Sequence, residues 1–201
     1  KAKEFLEKHY GREKRIVYQK LKENGGISAN TNAAAELAKG EYLMFCDHDD
    51  TLEPDALYEI VKAINDTDAD VVYTDEDKVS MDGQHYFDPN FKPDFNLFRL
   101  RENNYICHIF VVRKSLTDET GMLRSEFDGA QDFDFILRCC EKAKKITHIP
   151  KVLYHWRCHM DSTAADPSSK AYAYEAGRKA IREHYQRMGI DAKVDMTERP
   201  G

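Results

Sequence analysis

The chain has 201 residues, of which 41% are hydrophobic and 11% aromatic, and this predicts one domain spanning residues 1–201 with a sizeable core. Its 30 basic and 36 acidic residues give a net charge of −6 without any basic run, which argues against nucleic acid as a partner. No apolar run approaches the roughly 20 residues that cross a bilayer, and no signal peptide opens the chain.

Signals for helices and strands alternate along the first half of the chain. The predicted helices are residues 1–10, 28–40 and 54–65, and the predicted strands are residues 15–21, 41–46 and 70–74. Ser28 or Asn30 caps the second helix, Pro54 opens the third, and the strand EYLMFC is of the kind buried on both faces of a parallel sheet. This alternation predicts an α/β fold whose ligands bind beyond the carboxyl ends of the strands.

The second half is less regular. TDEDKVSMDGQHY indicates a hairpin-like excursion that turns at Asp82 and Gly83, and the following residues indicate a loop interrupted by proline. The remaining predicted elements are a strand at 105–114, a helix at 129–145, the short strands ITHIP and VLYHW, a polar loop and a terminal helix at 171–189.

The five cysteines have neither C-x-x-C spacing nor the density of a small disulfide scaffold, so they predict reduced thiols in a cytoplasmic protein. These residues are Cys46, Cys107, Cys139, Cys140 and Cys158. In a longer parent protein the domain is expected at the inner face of the membrane.

The strand at 41–46 leads directly into the acidic turn CDHDD, which is the strongest chemical signal in the sequence. Asp47 and Asp49 flank His48, so on an extended turn their carboxylates point the same way and come within reach of one divalent cation. Such a cation offsets the charge of a diphosphate and of a leaving group. The plainer alternative is that the aspartates solvate the turn and cap the next helix, a role that suits Asp50.

CDHDDTL by itself also fits the haloacid-dehalogenase phosphatases, in which an apolar strand precedes D-x-D-x-T-L. In that interpretation Asp47 is the phosphoryl-accepting nucleophile, Asp49 is the general acid, and Thr74 and Lys78 supply two later motifs. The position of the signature argues against it. The signature normally follows the first strand of its domain and leads into a flap, whereas here a strand and a helix precede it and Pro54 starts a helix almost at once.

The order of five motifs resembles the family 2 glycosyltransferases with the GT-A fold. These motifs are NGGISANTNAA, FCDHDD, YTDEDK, FDGAQDFDFILR and HIPKVLYHWR, and they cover the chain from Lys14 to the terminal helix. The resemblance implies a mixed sheet flanked by helices and the transfer of a sugar from a nucleotide donor.

The resemblance also implies roles for single residues. Asp47 and Asp49 match the D-x-D motif, which contacts the ribose and phosphates of the donor and binds Mn or Mg, with Asp49 as metal ligand. Asp132 matches the catalytic base, and Gln131 stands where the family usually has glutamate. His155 matches a histidine that several members supply to the metal.

Further contacts are expected around these positions. Gly26 and Asn32 follow the predicted strand 15–21 and are expected to contact the donor, because backbone N–H groups at a helix N-terminus form an anion site. His159 competes with His155 as a metal ligand. Arg157 is expected to pair with a phosphate or with the catalytic base.

Two alternatives stay open for the acidic residues outside the D-x-D motif. Asp75, Glu76 and Asp77 either bond sugar hydroxyls or form a solvated shoulder of the predicted hairpin. Without the resemblance, Asp132 is equally well explained as a helix cap. Specificity for the sugar is expected in loop residues such as 82–104.

The start of the chain departs from the family pattern. Lys1 falls in a helix that the family normally places after a strand, a helix and a second strand, so the resemblance implies a fragment of a longer protein that lacks these elements. The sheet would then have an open edge through which the domain could self-associate.

These inferences combine into one hypothesis. It is a metal-dependent, inverting glycosyltransferase of polysaccharide biosynthesis that moves a sugar from a UDP or dTDP donor to a glycan or lipid-linked acceptor. The alternatives are the phosphatase and a non-catalytic module that binds glycans or nucleotides.

Overall fold

The computed structural model describes residues 2–158 and 171–195. The helices are α1 (Ala2–Tyr10), α2 (Gly26–Leu37), α3 (Ala56–Thr67), α4 (Leu97–Glu102), α5 (Lys114–Thr120), α6 (Gln131–Lys142) and α7 (Ala171–Arg187). The strands are β1 (Tyr42–Phe45), β2 (Thr51–Leu52), β3 (Val71–Val79), β4 (Tyr86–Asn90), β5 (Phe110–Arg113) and β6 (Ile146–Arg157). Within these residues no helix has both the length and the apolar character needed to cross a membrane.

The six strands form one mixed sheet. Neighbouring strands follow the order β1-β5-β3-β6-β2, and β4 pairs with β3 outside this path. β3 and β6 are parallel, whereas the other pairs are antiparallel. The predicted mixed sheet flanked by helices is therefore confirmed.

β3 and β6 pair along almost their whole length, with two changes of register, one on each side of Asp75. Thr74 lies opposite Ile149, but the next residue, Asp75, lies opposite Val152. The residues that are skipped include Pro150, which has no N–H to donate to the ladder. The ladder resumes beyond the proline, so the structure has a single β6 where two short strands were predicted. The predicted hairpin is present, because β3 and β4 pair with Val79 opposite Tyr86 and the chain turns through Asp82 and Gly83. β3 therefore runs from the predicted strand at 70–74 into the first arm of this hairpin.

The predicted strand at 15–21 is absent, and β1 differs from its prediction. Residues 16–21 have no regular structure, and Ile16, Val17 and Tyr18 are exposed. In the described part of the chain β1 pairs along one edge only, and it is antiparallel to β5 and half-buried rather than buried in a parallel sheet. Strand propensity alone does not order a segment whose backbone has no partner strand.

Helices cover both faces of the sheet because side chains alternate along its strands. Tyr73 packs into a core with residues of α6 and α7, whereas its neighbour Val72 packs into a second core with Ile60 of α3. In the first core Phe110 and Phe135 contact edge to face with ring centroids 5.8 Å apart. The result is a three-layer α/β architecture.

A buried carboxylate joins α6 to the loop that precedes it. Asp134 is fully buried and accepts hydrogen bonds from Arg124 at 2.5 Å and from Arg138 at 2.8 Å. Arg138 also donates to the backbone carbonyls of residues 120–122, and Arg124 reaches Glu183 of α7 at 2.9 Å. These contacts fix the start of α6, and with it the position of Asp132.

Asp134→Ala should lower the free energy of unfolding by about 3–5 kcal/mol, because two guanidinium groups lose a fully buried carboxylate partner. The control is Asp66→Ala, which breaks the exposed ion pair between Lys62 and Asp66, spaced four residues apart like Asp134 and Arg138. It should lower the free energy of unfolding by at most about 0.5 kcal/mol. Urea denaturation of both variants measures the difference. Equal losses would mean that the burial of Asp134 contributes nothing.

Candidate active site

Several segments meet beside the middle of β3. Hydrogen bonds join the turn after β1 to β6, the loop 104–108 to β3, and the same loop to the first turn of α6. The sequence-predicted Asp47 and Asp132 lie on two of these segments. The resulting cleft is lined by carboxylates, an imidazole and an amide.

The acidic turn is held in place by two residues of β6. The hydroxyl of Tyr154 donates to the carboxylate of Asp50 and accepts from the backbone N–H of Asp47 at 3.3 Å. Arg157 donates its N–H to Asp50 at 2.8 Å and its guanidinium to the carbonyl oxygen of Asp49 at 2.7 Å. Burial raises the pKa of Asp50. Asp50 therefore anchors the turn to β6 rather than capping α3.

His108 faces this turn from the loop before β5. Its ring stacks on the ring of Tyr154 with centroids 4.8 Å apart. Ligand atoms of Asp47, Asp50 and His108 lie within 4.8 Å of one another, the one such group of three found among residues 2–158 and 171–195. The carboxylates are oxygen ligands of the kind that Mg²⁺ and Mn²⁺ prefer, and the imidazole adds a nitrogen that suits a transition metal better than Mg²⁺. The donor set fits a divalent cation.

Asp132, in the first turn of α6, shares the cleft with these groups. Burial raises the pKa of Asp132, the backbone N–H of Phe133 and the nearby His108 lower it in part, and the negative charge of Asp47 raises it further. The structure therefore brings Asp132, Asp47 and His108 into one electrostatic environment. A carboxylate with a raised pKa is a stronger proton acceptor at neutral pH than an ordinary aspartate.

Asn104 is the side chain that orients Asp132. Its amide Nδ2 donates to Oδ2 of Asp132 at 2.9 Å. Gln131, which precedes Asp132, instead accepts a hydrogen bond from the N–H of Gly129 at 2.7 Å and closes the turn before α6. Gln131, which stands where the family usually has glutamate, therefore does not bind Asp132. The loop 104–108 orients Asp132 through Asn104.

His155 lies outside the group around Asp47. It is 3% exposed, and its Nδ1 and Nε2 lie 2.5 Å from Asp77 and 3.2 Å from Glu53. Both ring nitrogens are therefore engaged by carboxylates of the protein. Arg157 contacts backbone carbonyls rather than Asp132, and His159 lies outside the described residues.

The N-terminus of α2 already holds a carboxylate of the protein. Gly26 has a φ of +88°, and Oδ2 of Asp128 lies 3.0 Å from the position that a Cβ would occupy. Asp128 also accepts a hydrogen bond of 2.5 Å from Ser28. Asn32 uses both of its amide atoms on the backbone of Leu123, at 2.8 and 3.1 Å. In the structure, the two predicted donor contacts thus lie where α2 meets the loop before α6.

The three acidic residues of YTDEDK lie within β3, the first arm of the hairpin, and face the protein rather than solvent. Asp75 is 3% exposed and lies 2.8 Å from Nε2 of His148. Glu76 lies 3.2 Å from the ammonium of Lys92. Asp77 binds His155. Each of the three carboxylates therefore has a partner within the protein.

Sequence reasoning missed Asn104, His108 and Lys92. The predicted strand at 105–114 concealed His108, because β5 is only Phe110–Arg113 and the residues before it form a loop. Asn104 directly precedes that predicted strand. The polar letters in NNYICH, which interrupt an otherwise apolar run, were the available signal.

Comparisons with known proteins agree with this architecture. The family described as Glycosyl transferase family 2 matches residues 1–121. The O-antigen biosynthesis protein RfbC of Myxococcus xanthus is 36% identical over 184 residues, which are 91% of this chain and 14% of that protein. The chondroitin synthase of Pasteurella multocida is 33% identical over 165 residues, 80% of this chain and 17% of that protein. Protein y4gI of Sinorhizobium fredii is 46% identical over 176 residues, which are 86% of this chain and 19% of that protein.

Crystal structures of residues 1–349 of TarS from S. aureus share the fold. One structure has a TM-score of 0.69 and 19% sequence identity, and the match covers 96% of this chain and 55% of the TarS chain. The complex with UDP-GlcNAc has a TM-score of 0.71 and 20% identity, and the match covers 96% of this chain and 56% of the TarS chain. The GT-A fold is thereby confirmed. The chain spans less than a fifth of the three curated relatives and slightly more than half of the TarS structures. Because the family matches 121 of 201 residues and RfbC is 36% identical, the chain belongs to family 2 of the glycosyltransferases.

Proposed function

We propose that this domain transfers a sugar, with inversion at the anomeric carbon, from a nucleotide diphosphate donor to a hydroxyl group of a glycan or lipid-linked acceptor. The observation that carries the proposal is the position of Asp132, which is bound by Asn104 and lies close enough to Asp47 and His108 for their charges to shift its pKa. Membership of the family supports transfer over the phosphatase alternative. Lys78 supports this choice too, because it pairs with Asp88 of β4.

Asp132 acts as the general base. It takes the proton of the acceptor hydroxyl while the oxygen attacks the anomeric carbon and the bond to the diphosphate breaks. A pKa raised by burial favours this proton transfer near neutral pH, and the hydrogen bond from Asn104 keeps one carboxylate oxygen in place. The other oxygen is then directed to the acceptor.

Asp47 and Asp49 contact the ribose and phosphates of the donor, and the group of Asp47, Asp50 and His108 holds Mn or Mg. We place His108 in the ligand set rather than His155, because both ring nitrogens of His155 are already bound by Asp77 and Glu53. When bound, such a cation stabilises the negative charge that develops on the departing diphosphate. Donor contacts by Gly26 and Asn32 are a separate proposal, because in this structure both residues lie where α2 meets the loop before α6.

The donor is a UDP-sugar, with a dTDP-sugar as the alternative to be tested. TarS has been solved with UDP-GlcNAc and with UDP, and the relatives include chondroitin and hyaluronan synthases of Pasteurella multocida. A polysaccharide acceptor is consistent with the names of these synthases, and a location at the inner face of the membrane is a separate proposal. Self-association through the open edge of β1 is a separate proposal, which sedimentation of the purified protein over a range of concentrations tests.

Asp132→Asn should lower kcat roughly 100- to 10,000-fold, because the amide cannot accept the hydroxyl proton. Binding of UDP should stay within a factor of about three, since the substitution keeps size and hydrogen bonding. Transfer assays with UDP- and dTDP-sugars and calorimetry of nucleotide binding measure the two effects. Asp118→Asn, an exposed aspartate of α5, is the matched control. Unchanged transfer in Asp132→Asn would reject Asp132 as the base, and binding without any transfer by the wild type would favour the non-catalytic module.

Asp132→Asn should also stabilise the fold near neutral pH. Burial raises the pKa of Asp132 above its ordinary value of 3.8, so ionisation costs more in the folded protein than in the unfolded chain. The wild type should therefore lose stability relative to the variant as pH rises from 3.8 through the folded pKa. Urea denaturation at about pH 7 and about pH 3.5 should show a gap at the higher value that closes at the lower one. A gap that widens in acid contradicts this assignment.

His108→Ala should weaken Mn²⁺ binding about 10-fold or more, because one of three ligands is lost. The affinity is measured without donor by electron paramagnetic resonance of free Mn²⁺. His48→Ala is the control, since His48 lies in the acidic turn with a side chain that is 98% exposed. If Mn²⁺ affinity falls in His155→Gln and not in His108→Ala, the metal ligands are Asp49 and His155, as predicted from the sequence.

A further inference from the structure

We infer that the buried ion pair between Lys92 and Glu76 is the positioning element of the site. It fixes the backbone of the loop 104–108, which carries Asn104 to Asp132 on one side and His108 to the acidic turn on the other. The role of Asp132 as base rests on the proposed function, whereas the fastening of the loop is a property of the protein alone. Neither Lys92 nor Glu76 is assigned to contact substrate.

Lys92 is a lysine with no exposed side-chain surface. Its ammonium donates to the carbonyl oxygen of Ile106 at 2.8 Å and to that of His108, and it lies 3.2 Å from Oε2 of Glu76. Three partners match the three N–H donors of an ammonium group. A group of this kind can bind two carbonyls of one loop and a carboxylate at the same time.

Glu76 binds the same loop from β3. Its Oε2 accepts the backbone N–H of His108 at 3.3 Å as well as facing Lys92, and its Oε1 accepts from Asn90 at 3.2 Å. The pair therefore binds two carbonyls and one N–H of residues 106–108. Burial lowers the pKa of Lys92, and the charge of Glu76 opposes that effect.

The loop 104–108 connects the two sides of the cleft, which are the acidic turn after β1 and the first turn of α6. Asn104 lies two residues before the first carbonyl that Lys92 binds and donates to Asp132 at 2.9 Å, and the N–H of Cys107 caps the turn by donating to Oδ1 of Asn104 at 3.4 Å. His108 carries both a bound carbonyl and a bound N–H, and its ring faces Asp47. Movement of this short segment would displace the amide and the imidazole together.

The experiment compares Lys92→Met, Glu76→Gln, the double variant and Asn104→Ala with the wild type. Single substitution in the pair leaves one buried charge and should lower the melting temperature by roughly 10 °C, and the double variant should regain most of that loss. In the double variant kcat should nevertheless stay about 10- to 100-fold below wild type, with KM for the donor within about twofold. Asn104→Ala should show the same kcat loss while changing the melting temperature by only a few degrees.

A second readout does not depend on catalysis. Carbon-13 NMR of the Asp132 carboxyl group follows its titration directly, and the midpoint should rise in Asn104→Ala and in the double variant, because the carboxylate loses a donated hydrogen bond. The matched control is Lys78→Met with Asp88→Asn, which removes the ion pair between Lys78 of β3 and Asp88 of β4, a pair whose carboxylate is largely exposed. That control should leave both kcat and the Asp132 midpoint unchanged.

Recovery of kcat together with the melting temperature in the double variant would overturn the inference, as would an unchanged Asp132 midpoint in Asn104→Ala. If the double variant does not fold, Asn104→Ala and the titration still decide the question. Failure of the wild type to transfer any sugar would reject the proposed function instead, and the titration would then report on the fastening of the loop by itself.

Discussion

Three consecutive carboxylates in the middle of β3 govern the arrangement of the site, because each is withdrawn from bulk water and needs a partner inside the protein. The partners are His148 for Asp75, Lys92 for Glu76 and His155 for Asp77. Both histidines belong to β6, and the lysine belongs to the segment that follows β4. Satisfying these three groups therefore fixes β6 beside β3 and lays the following loop over the strand.

Both walls of the cleft are attached to the central strands β3 and β6. On one side Tyr154 and Arg157, from the same β6, hold the turn that carries Asp47 and Asp50. On the other side the loop that Glu76 anchors supports Asp132 through Asn104. The proposed base and the proposed cation ligands are thus held by separate supports that both attach to β3 or β6. Rigid supports of this kind are what precise placement of reacting atoms requires.

The sequence was informative where chemistry and local pattern coincide. CDHDD and GAQDFD stand directly after a strand and at the start of a helix, so their positions at the cleft followed from the α/β pattern and from the order of motifs. The pattern failed where long-range pairing decides. Residues 16–21 have strand composition but no partner strand within the described chain. The predicted hairpin is present as β3 and β4, but the acidic residues of its first arm are buried or half-buried, which their charge alone does not predict. His108 and His155 could not be ranked as ligands from sequence, since only the contacts of each ring distinguish them.

The paired burial of charge also limits how this scaffold can change over evolutionary time. Substituting one member of the Asp75–His148 pair leaves the other without its partner, so an altered pair is reached through a less stable intermediate unless both positions change together. Positions without such a partner carry no comparable barrier. Tyr86 and Phe91 lie on or just after β4 and Phe98 lies in α4; all three are more than half exposed and fall within the stretch where sugar specificity was expected. Changes in sugar specificity are therefore easier to reach at these exposed aromatic residues than at the buried charged pairs.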